Sequence, residues 1–241
     1  MMRETYELID LKKLQNNVRT IVHYSSNYKY HIAVVKADCY GLGIKCIESI
    51  LKGGANYLAV SSLDEALKVR KITSERILVL EPIDINYIEL AIQNNITLTI
   101  SSLDYLMKIK SNKFTCHIKI NTGMNRLGIS SKDEFNKVIN LIEENNNVYL
   151  EGLFTHFATP GINDRYFDMQ VHNFKNITSN IDIKSIPTSN ITPAYASGKY
   201  LPIIFLNIYK NGNINADDVT GKPVYSFTGL LLFLVISSTL K

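Results

Sequence analysis

The sequence predicts an α/β protein built as a (β/α)8 TIM-like barrel, and three observations carry that expectation. Short apolar, β-branched runs alternate with stretches of helical periodicity six times in succession. The first run, His31-Ile-Ala-Val-Val35, is β-branched and short enough to be a strand buried on both faces, as in a parallel sheet. Basic side chains fall at the C-terminal ends of those runs, where barrel proteins place their chemistry. An open, doubly wound sheet is the architectural alternative, and six or more consecutive units favour closure.

The chain opens with Leu11, Leu14, Val18, Ile21 and Val22 at helical spacing behind Asp10, a residue type that caps helix N-termini. Strands are predicted at 31–35, 57–60, 77–80, 96–100, 117–120 and 148–154. Helices follow at Leu63, Ala66, Leu67 and Arg70 behind Ser62, then at Ile85, Ile88 and Ile92, and from 102 to about 110. Two more are marked by Phe135, Val138, Ile139 and Ile142, and by Phe167, Val171, Phe174 and Ile177. After about residue 185 the alternation stops. Pro, Gly and Asn are scattered through 186–218, no seventh or eighth unit can be assigned there, and the barrel is expected to be incomplete. Residues 229–236 are the most apolar stretch, far short of the roughly 20 residues that span a bilayer. They are expected to form a strand, either buried or deprived of its partner, and no membrane association is expected.

Composition narrows the class. With 241 residues, 46% of them hydrophobic, the chain can bury a sizeable core and is not a disordered protein. The formal net charge of +4 is spread along the chain, without the dense basic block that nucleic acid would require. Three cysteines without a C-x-x-C pair, and a start lacking an apolar leader, point to reduced thiols in a cytoplasm. The histidines and cysteines do not fall at zinc-site spacing, so no metal is expected.

Several strand ends carry candidate chemistry. Lys36 closes the first apolar run. Burial at such an edge lowers an ammonium pKa and favours the nucleophilic amine that Schiff-base chemistry needs, although a solvated strand-end lysine has the same pattern. Tyr40, Gly41 and Gly43 follow in a tight turn suited to phosphate, a weak signal by itself. Lys119 and Asn121 share a strand face, and a lysine aimed into a barrel is costly unless paired or modified. Arg126, in the loop after Gly123, can bind a carboxylate or phenolate bidentately or can simply be a surface arginine. His156 lies in an apolar run at the end of the sixth strand, where a satisfied core histidine is the plainer reading.

Residues 33–43, Ala-Val-Val-Lys-Ala-Asp-Cys-Tyr-Gly-Leu-Gly, resemble the pyridoxal-phosphate attachment signature of the alanine racemase family, with Leu42 where a histidine is usual. Residues 119–128 resemble its K-x-D-T-G-M-x-R-x-G segment, and 155–158 match T-H-F-A. The resemblance covers roughly residues 3–185 in the family's order. It implies a cofactor-binding barrel over 1–206 and, over 207–241, the truncated start of a C-terminal β-domain, with Pro223-Val-Tyr-Ser226 as its entry.

The resemblance further implies that Lys36 bears pyridoxal 5′-phosphate and acts as a catalytic base, and that Tyr40 holds the phosphate. Arg126 would contact the phenolate and the substrate carboxylate, Lys119 would be the position often carbamylated, and His156 would pack near the cofactor. Ser197, in a vaguely similar Ala194-Tyr-Ala-Ser-Gly198 turn, would reach the phosphate. The implied activity is interconversion of L- and D-alanine for cell-wall peptidoglycan by a homodimer whose partner supplies the opposite-face tyrosine. The second function kept open is a single-domain, non-catalytic pyridoxal-phosphate homeostasis protein.

Overall fold

The computed structural model describes residues 9–23, 26, 28, 30–109, 113–158 and 165–179, with residue 24 and residues 233–237 as backbone only. Its centre is a sheet in the order β6-β5-β4-β3-β2-β1-β7. The strands are β1 (Tyr30–Val34), β2 (Tyr57–Val60), β3 (Arg76–Val79), β4 (Ile96–Ile100), β5 (Phe114–Ile120), β6 (Val148–Thr155) and β7 (Phe233–Ser237). β1 to β6 pair in parallel and in sequence order, the half-barrel arrangement of successive β/α units.

The helices are α1 (Leu11–Tyr24), the single turn α2 (Lys36–Tyr40), α3 (Ile47–Lys52), α4 (Leu63–Arg70), α5 (Ile88–Gln93), α6 (Leu103–Lys108), α7 (Lys132–Glu144) and α8 (Arg165–Ile177). Local chemistry sets their starts. Asp10 Oδ1 accepts from the amides of Lys12 and Lys13, both at 3.0 Å. Ser62, Ser102 and Ser131 accept from the amides of Glu65, Tyr105 and Glu134, each such cap stabilising by about 1 kcal/mol. The apolar pattern marks no residues for α3. That helix packs on α1 so closely that a Cβ on Gly53 would lie 2.5 Å from the Val18 Cβ, so only glycine fits.

Alternation along the strands divides the core. Ala33, Leu58, Val60, Ile77, Val79, Ile100 and Ile118 face outward and pack with helix residues such as Val18, Ile50, Val69, Phe135 and Val138. Ile32, Val34, Tyr57, Ala59, Leu78, Leu80 and Phe154 form a separate inner cluster. A register shift between Cys116 and His117 leaves Glu151 of β6 as the extra residue of a bulge. Its carboxylate is buried, accepting from Tyr57 Oη at 2.6 Å and lying 3.2 Å from His117 Nε2, with Arg76 in an ion pair. This polar knot lies toward the N-terminal ends of the strands.

β7 pairs with β1 antiparallel, Tyr30 opposite Ser237 and Val34 opposite Phe233. A closed (β/α)8 barrel requires a parallel eighth strand at that edge, so the strand expected in 229–236 exists and has a partner, but not in a barrel-closing direction. The expected absence of units from 186–218 and the boundary between 206 and 207 lie outside the described residues. No helix among the described residues is long and apolar enough to cross a membrane.

Candidate active site

The C-terminal ends of β1, β5 and β6 bring the sequence-predicted basic residues together. Lys36 follows β1, and Val35 N–H still bonds to Ala59 O at 2.8 Å, so the lysine is held at the sheet edge. The next four residues have left-handed backbones, with φ of 50° at Ala37, 54° at Asp38, 55° at Cys39 and 57° at Tyr40. A left-handed turn of L-residues costs about 1–2 kcal/mol per residue, so the segment is strained. Several bonds offset that strain. Cys39 N–H reaches Val35 O at 3.1 Å, Gly41 N–H reaches Ala37 O at 2.9 Å and Gly43 N–H reaches Asp38 O at 2.9 Å. Gly41, at φ 89°, ends the turn in a conformation that glycine adopts without strain.

Tyr40 leaves this turn half-buried against the inner cluster. Burial, followed by the Glu65 carboxylate, pushes its phenol up to about 12, so at neutral pH it remains a hydrogen-bond donor.

Lys119 is 5% exposed on the inner face of β5, its Nζ 5.5 Å from the centroid of the Phe154 ring. Burial first, then the Arg126 and Lys36 charges, lower it to about 8, while Glu81 pulls the other way. His156, just past β6, is held down to about 3 by burial and by Arg126, Lys119 and Lys36, so its imidazole is neutral at neutral pH. These mutual effects place Lys36, Lys119, Arg126 and His156 within one electrostatic neighbourhood. Arg126 itself is exposed, and no carboxylate among the described residues forms an ion pair with it. Ser197 lies outside the described residues.

The loop carrying Arg126 is folded back onto β5. Asn121 Oδ1 accepts from Gly123 N–H at 3.2 Å and Asn125 N–H at 2.9 Å, and Asn121 Nδ2 donates to Ser130 Oγ at 3.0 Å. Asn121 N–H donates to Ile129 O, and Ile129 N–H to Lys119 O. Gly128, at φ 119°, lies so close that a Cβ would fall 2.8 Å from Asn121 N and 2.9 Å from Lys119 O.

Helix α8 supplies a clamp that the sequence reading missed. Gln170 is fully buried. Its Oε1 accepts from Ala158 N–H at 2.9 Å, and its Nε2 donates to Thr122 Oγ1 at 3.1 Å and His156 O at 3.3 Å. Tyr166 Oη donates to Gly123 O at 2.6 Å and Asn173 Nδ2 to Thr122 O at 2.9 Å. One helix thus fastens the Arg126 loop to the strand end bearing His156. The signal was present: Gln170 interrupts the apolar stripe of Phe167, Val171, Phe174 and Ile177 with a polar residue on the buried face.

Fold and site define a class: a β/α-barrel protein with a lysine at a strained corner and a basic mouth suited to an anionic ligand. Comparison with known proteins agrees. Residues 9–204 match the family model described as alanine racemase, N-terminal domain, and the chain belongs to the alanine racemase family. It is 35% identical over 191 residues to alanine racemase 1 of Bacillus subtilis (strain 168), covering 76% of this chain and 49% of that protein. Alanine racemase of Streptococcus agalactiae serotype Ia is 38% identical over 191 residues, covering 75% of this chain and 51% of that protein.

Among solved structures, alanine racemase from E. faecalis superposes with a TM-score of 0.70 at 28% identity, covering 76% of this chain and 51% of that one. Alanine racemase from Bacillus anthracis with bound L-Ala-P gives 0.68 at 31% identity, covering 76% and 49%. The chain spans about half the length of the curated relatives it matches.

Proposed function

We propose that this chain holds pyridoxal 5′-phosphate on Lys36 and serves a cytoplasmic racemase that interconverts L- and D-alanine, supplying D-alanine for peptidoglycan. The observation that carries the reading is the charge of the mouth. The charges of Lys36, Lys119 and Arg126 all act on neutral His156, and Glu81 acts on Lys119 as the opposing carboxylate. Such a site calls for an anion, and a group with a phosphate, a phenolate and an aldehyde fits these donors and this amine. When bound, pyridoxal phosphate acidifies the α-proton of an amino acid attached to it.

The chain's own residues then have distinct tasks. The Lys36 amine provides the attachment point and moves the α-proton on one face. Tyr40, held protonated, donates to the phosphate, and Ser197 is assigned to the same group by family resemblance. Arg126 binds the phenolate and the substrate carboxylate through its planar fork.

The Arg126 charge acts on Lys119, whose lowered pKa leaves a share of free amine near neutral pH. That amine can attack carbon dioxide and lose a proton, forming an N-carboxylate that replaces a repelling ammonium with an anion able to hold the guanidinium. Inversion also needs an acid–base group on the opposite face. By family resemblance this is a tyrosine from the C-terminal part of the partner subunit in a homodimer.

The test is to add pyridoxal phosphate, record the visible spectrum, reduce with borohydride and map the label. A lysine-bound band with the label on Lys36, absent in Lys36→Ala, is expected, together with formation of D-alanine from L-alanine. A folded sample without the band defeats the reading. A band without turnover leaves a cofactor-holding protein.

A further inference from the structure

The mechanism leaves one carboxylate beside the site without a task. Glu65 is the fourth residue of the Ser62-Leu-Asp-Glu65 capping box, and Ser62 Oγ accepts from Glu65 N–H at 3.3 Å as such boxes require. In the usual box the glutamate reaches back to the amide of the capping residue itself. Here it reaches further in two directions. Oε2 accepts from Ser61 N–H at 2.8 Å, and Oε1 accepts from Ala37 N–H at 2.7 Å, across 28 residues of sequence.

Ala37 adjoins Lys36 and is the first residue of the left-handed turn. Its amide precedes the hydrogen-bonded part of that turn, so an outside acceptor must satisfy it. A carboxylate does so more strongly than a neutral oxygen. One rigid group therefore ties the β2–α4 corner to the peptide that sets the direction in which Lys36 leaves β1.

We propose that Glu65 is a positioning residue: its paired hydrogen bonds hold the strained turn so that the Lys36 amine is aimed into the basic mouth. This rests on Lys36 being the cofactor-bearing lysine. A turn of four left-handed residues has a more relaxed competitor at every position, and α4 is the element that reaches across to hold its first amide. Burial raises the Tyr40 phenol and the same carboxylate adds to that rise, so Glu65 also acts on a second residue of the turn.

The experiment compares Glu65→Gln and Glu65→Asp with Ser62→Ala. Glutamine keeps the size but offers one acceptor oxygen for two amides, and aspartate keeps the charge but is one methylene too short to span both. Ser62→Ala removes the cap of α4 while leaving the Ala37 bond in place, so it controls for destabilisation alone. Hydrogen exchange of the 36–43 peptide and acetylation of Lys36 by acetic anhydride are read without cofactor. Borohydride-trapped pyridoxal phosphate on Lys36 is read with it.

Both Glu65 variants should exchange the turn about tenfold faster, the factor expected for one lost charge-assisted bond. They should also show altered Lys36 acetylation and about tenfold weaker trapping, while Ser62→Ala moves none of the three. Exchange and acetylation at wild-type rates in the Glu65 variants would overturn the proposal. So would equal changes in Ser62→Ala. Absence of trapping in the wild type would defeat the cofactor reading, and the two cofactor-free measurements would still decide whether Glu65 holds the turn.

Discussion

Replacing Glu151 with alanine strips the buried knot at the N-terminal end of the sheet of its only anion among the described residues. Glu151 is 3% exposed, and Tyr57 and His117, which face it, are 1% and 4% exposed. Removing one partner of a buried ion pair costs about 3–5 kcal/mol when the charge left behind cannot reach water. Arg76, however, has a side chain that is 47% exposed and can turn outward, which removes most of the Coulombic part of that loss. What remains is the Tyr57 hydroxyl without its 2.6 Å acceptor, the His117 Nε2 without its partner, and the space vacated by the side chain.

Those losses put the cost near 3 kcal/mol. Burial and the Arg76 charge hold His117 neutral, so it cannot replace the lost interaction by ionising against another group. For a chain of this size, about 2–4 °C of melting temperature per kcal/mol converts the cost to a fall of roughly 6–12 °C. Thermal unfolding followed by circular dichroism measures it, with Glu151→Gln as comparison. Glutamine keeps the shape and an acceptor for Tyr57, so its fall should be less than half as large. A melting temperature within 2 °C of wild type for Glu151→Ala would refute the claim that this bulge glutamate organises the lower barrel.

Two further outcomes follow from the upper end of the sheet. His156 is held down to about 3 when folded, while an unfolded histidine titrates near 6.5, so the unfolded chain binds the extra proton. His117 is depressed in the same way, so stability should be complete above about pH 7 and fall on acidification toward 3, each histidine contributing up to about 1.4 kcal/mol per pH unit. His156→Asn should remove one of the two shares in urea titrations. Gln170→Leu, similar in size but without polar atoms, leaves Thr122 Oγ1 and His156 O short of a donor. It should cost about 2–4 kcal/mol and raise hydrogen exchange in the 121–130 loop, whereas an unchanged loop would refute the clamp.

Much of the fold was legible because burial imposes a period. The strand at 57–60 and that at 96–100 were readable to the residue: the first is an unbroken apolar run, and the second is β-branched at four of its five positions, with Thr97 and Thr99 buried among the aliphatic residues. The first and third strands begin one residue earlier than expected. Their opening residues, Tyr30 and Arg76, join the polar knot and so break the apolar pattern. The fifth strand begins at Phe114, three residues before its expected start at His117, because Thr115 is polar and only half-buried. Helix α3 escaped notice because its short apolar face is completed by glycine-mediated contact with α1, which no local pattern records.

Lys36, Lys119, Arg126 and His156 could be picked out of the sequence as candidates, because basic side chains at strand ends and family-like motifs are local features. Their mutual effects could not. Lys119 loses its ordinary basicity through burial, through Arg126 in the loop after its own strand and through Lys36 from a distant β/α unit. Glu65 reads locally as a helix cap and Gln170 as a flaw in an apolar stripe, and each acquires its role from an amide 28 or 12 residues away. The antiparallel seat of β7 on β1 likewise depends on which sheet edge is available, and edges exist only once the strands have assembled. Hydrophobic period and short motifs act within a few residues and are written in the chain. Hydrogen bonds and charges act through space, and the folded structure alone decides which distant groups share it.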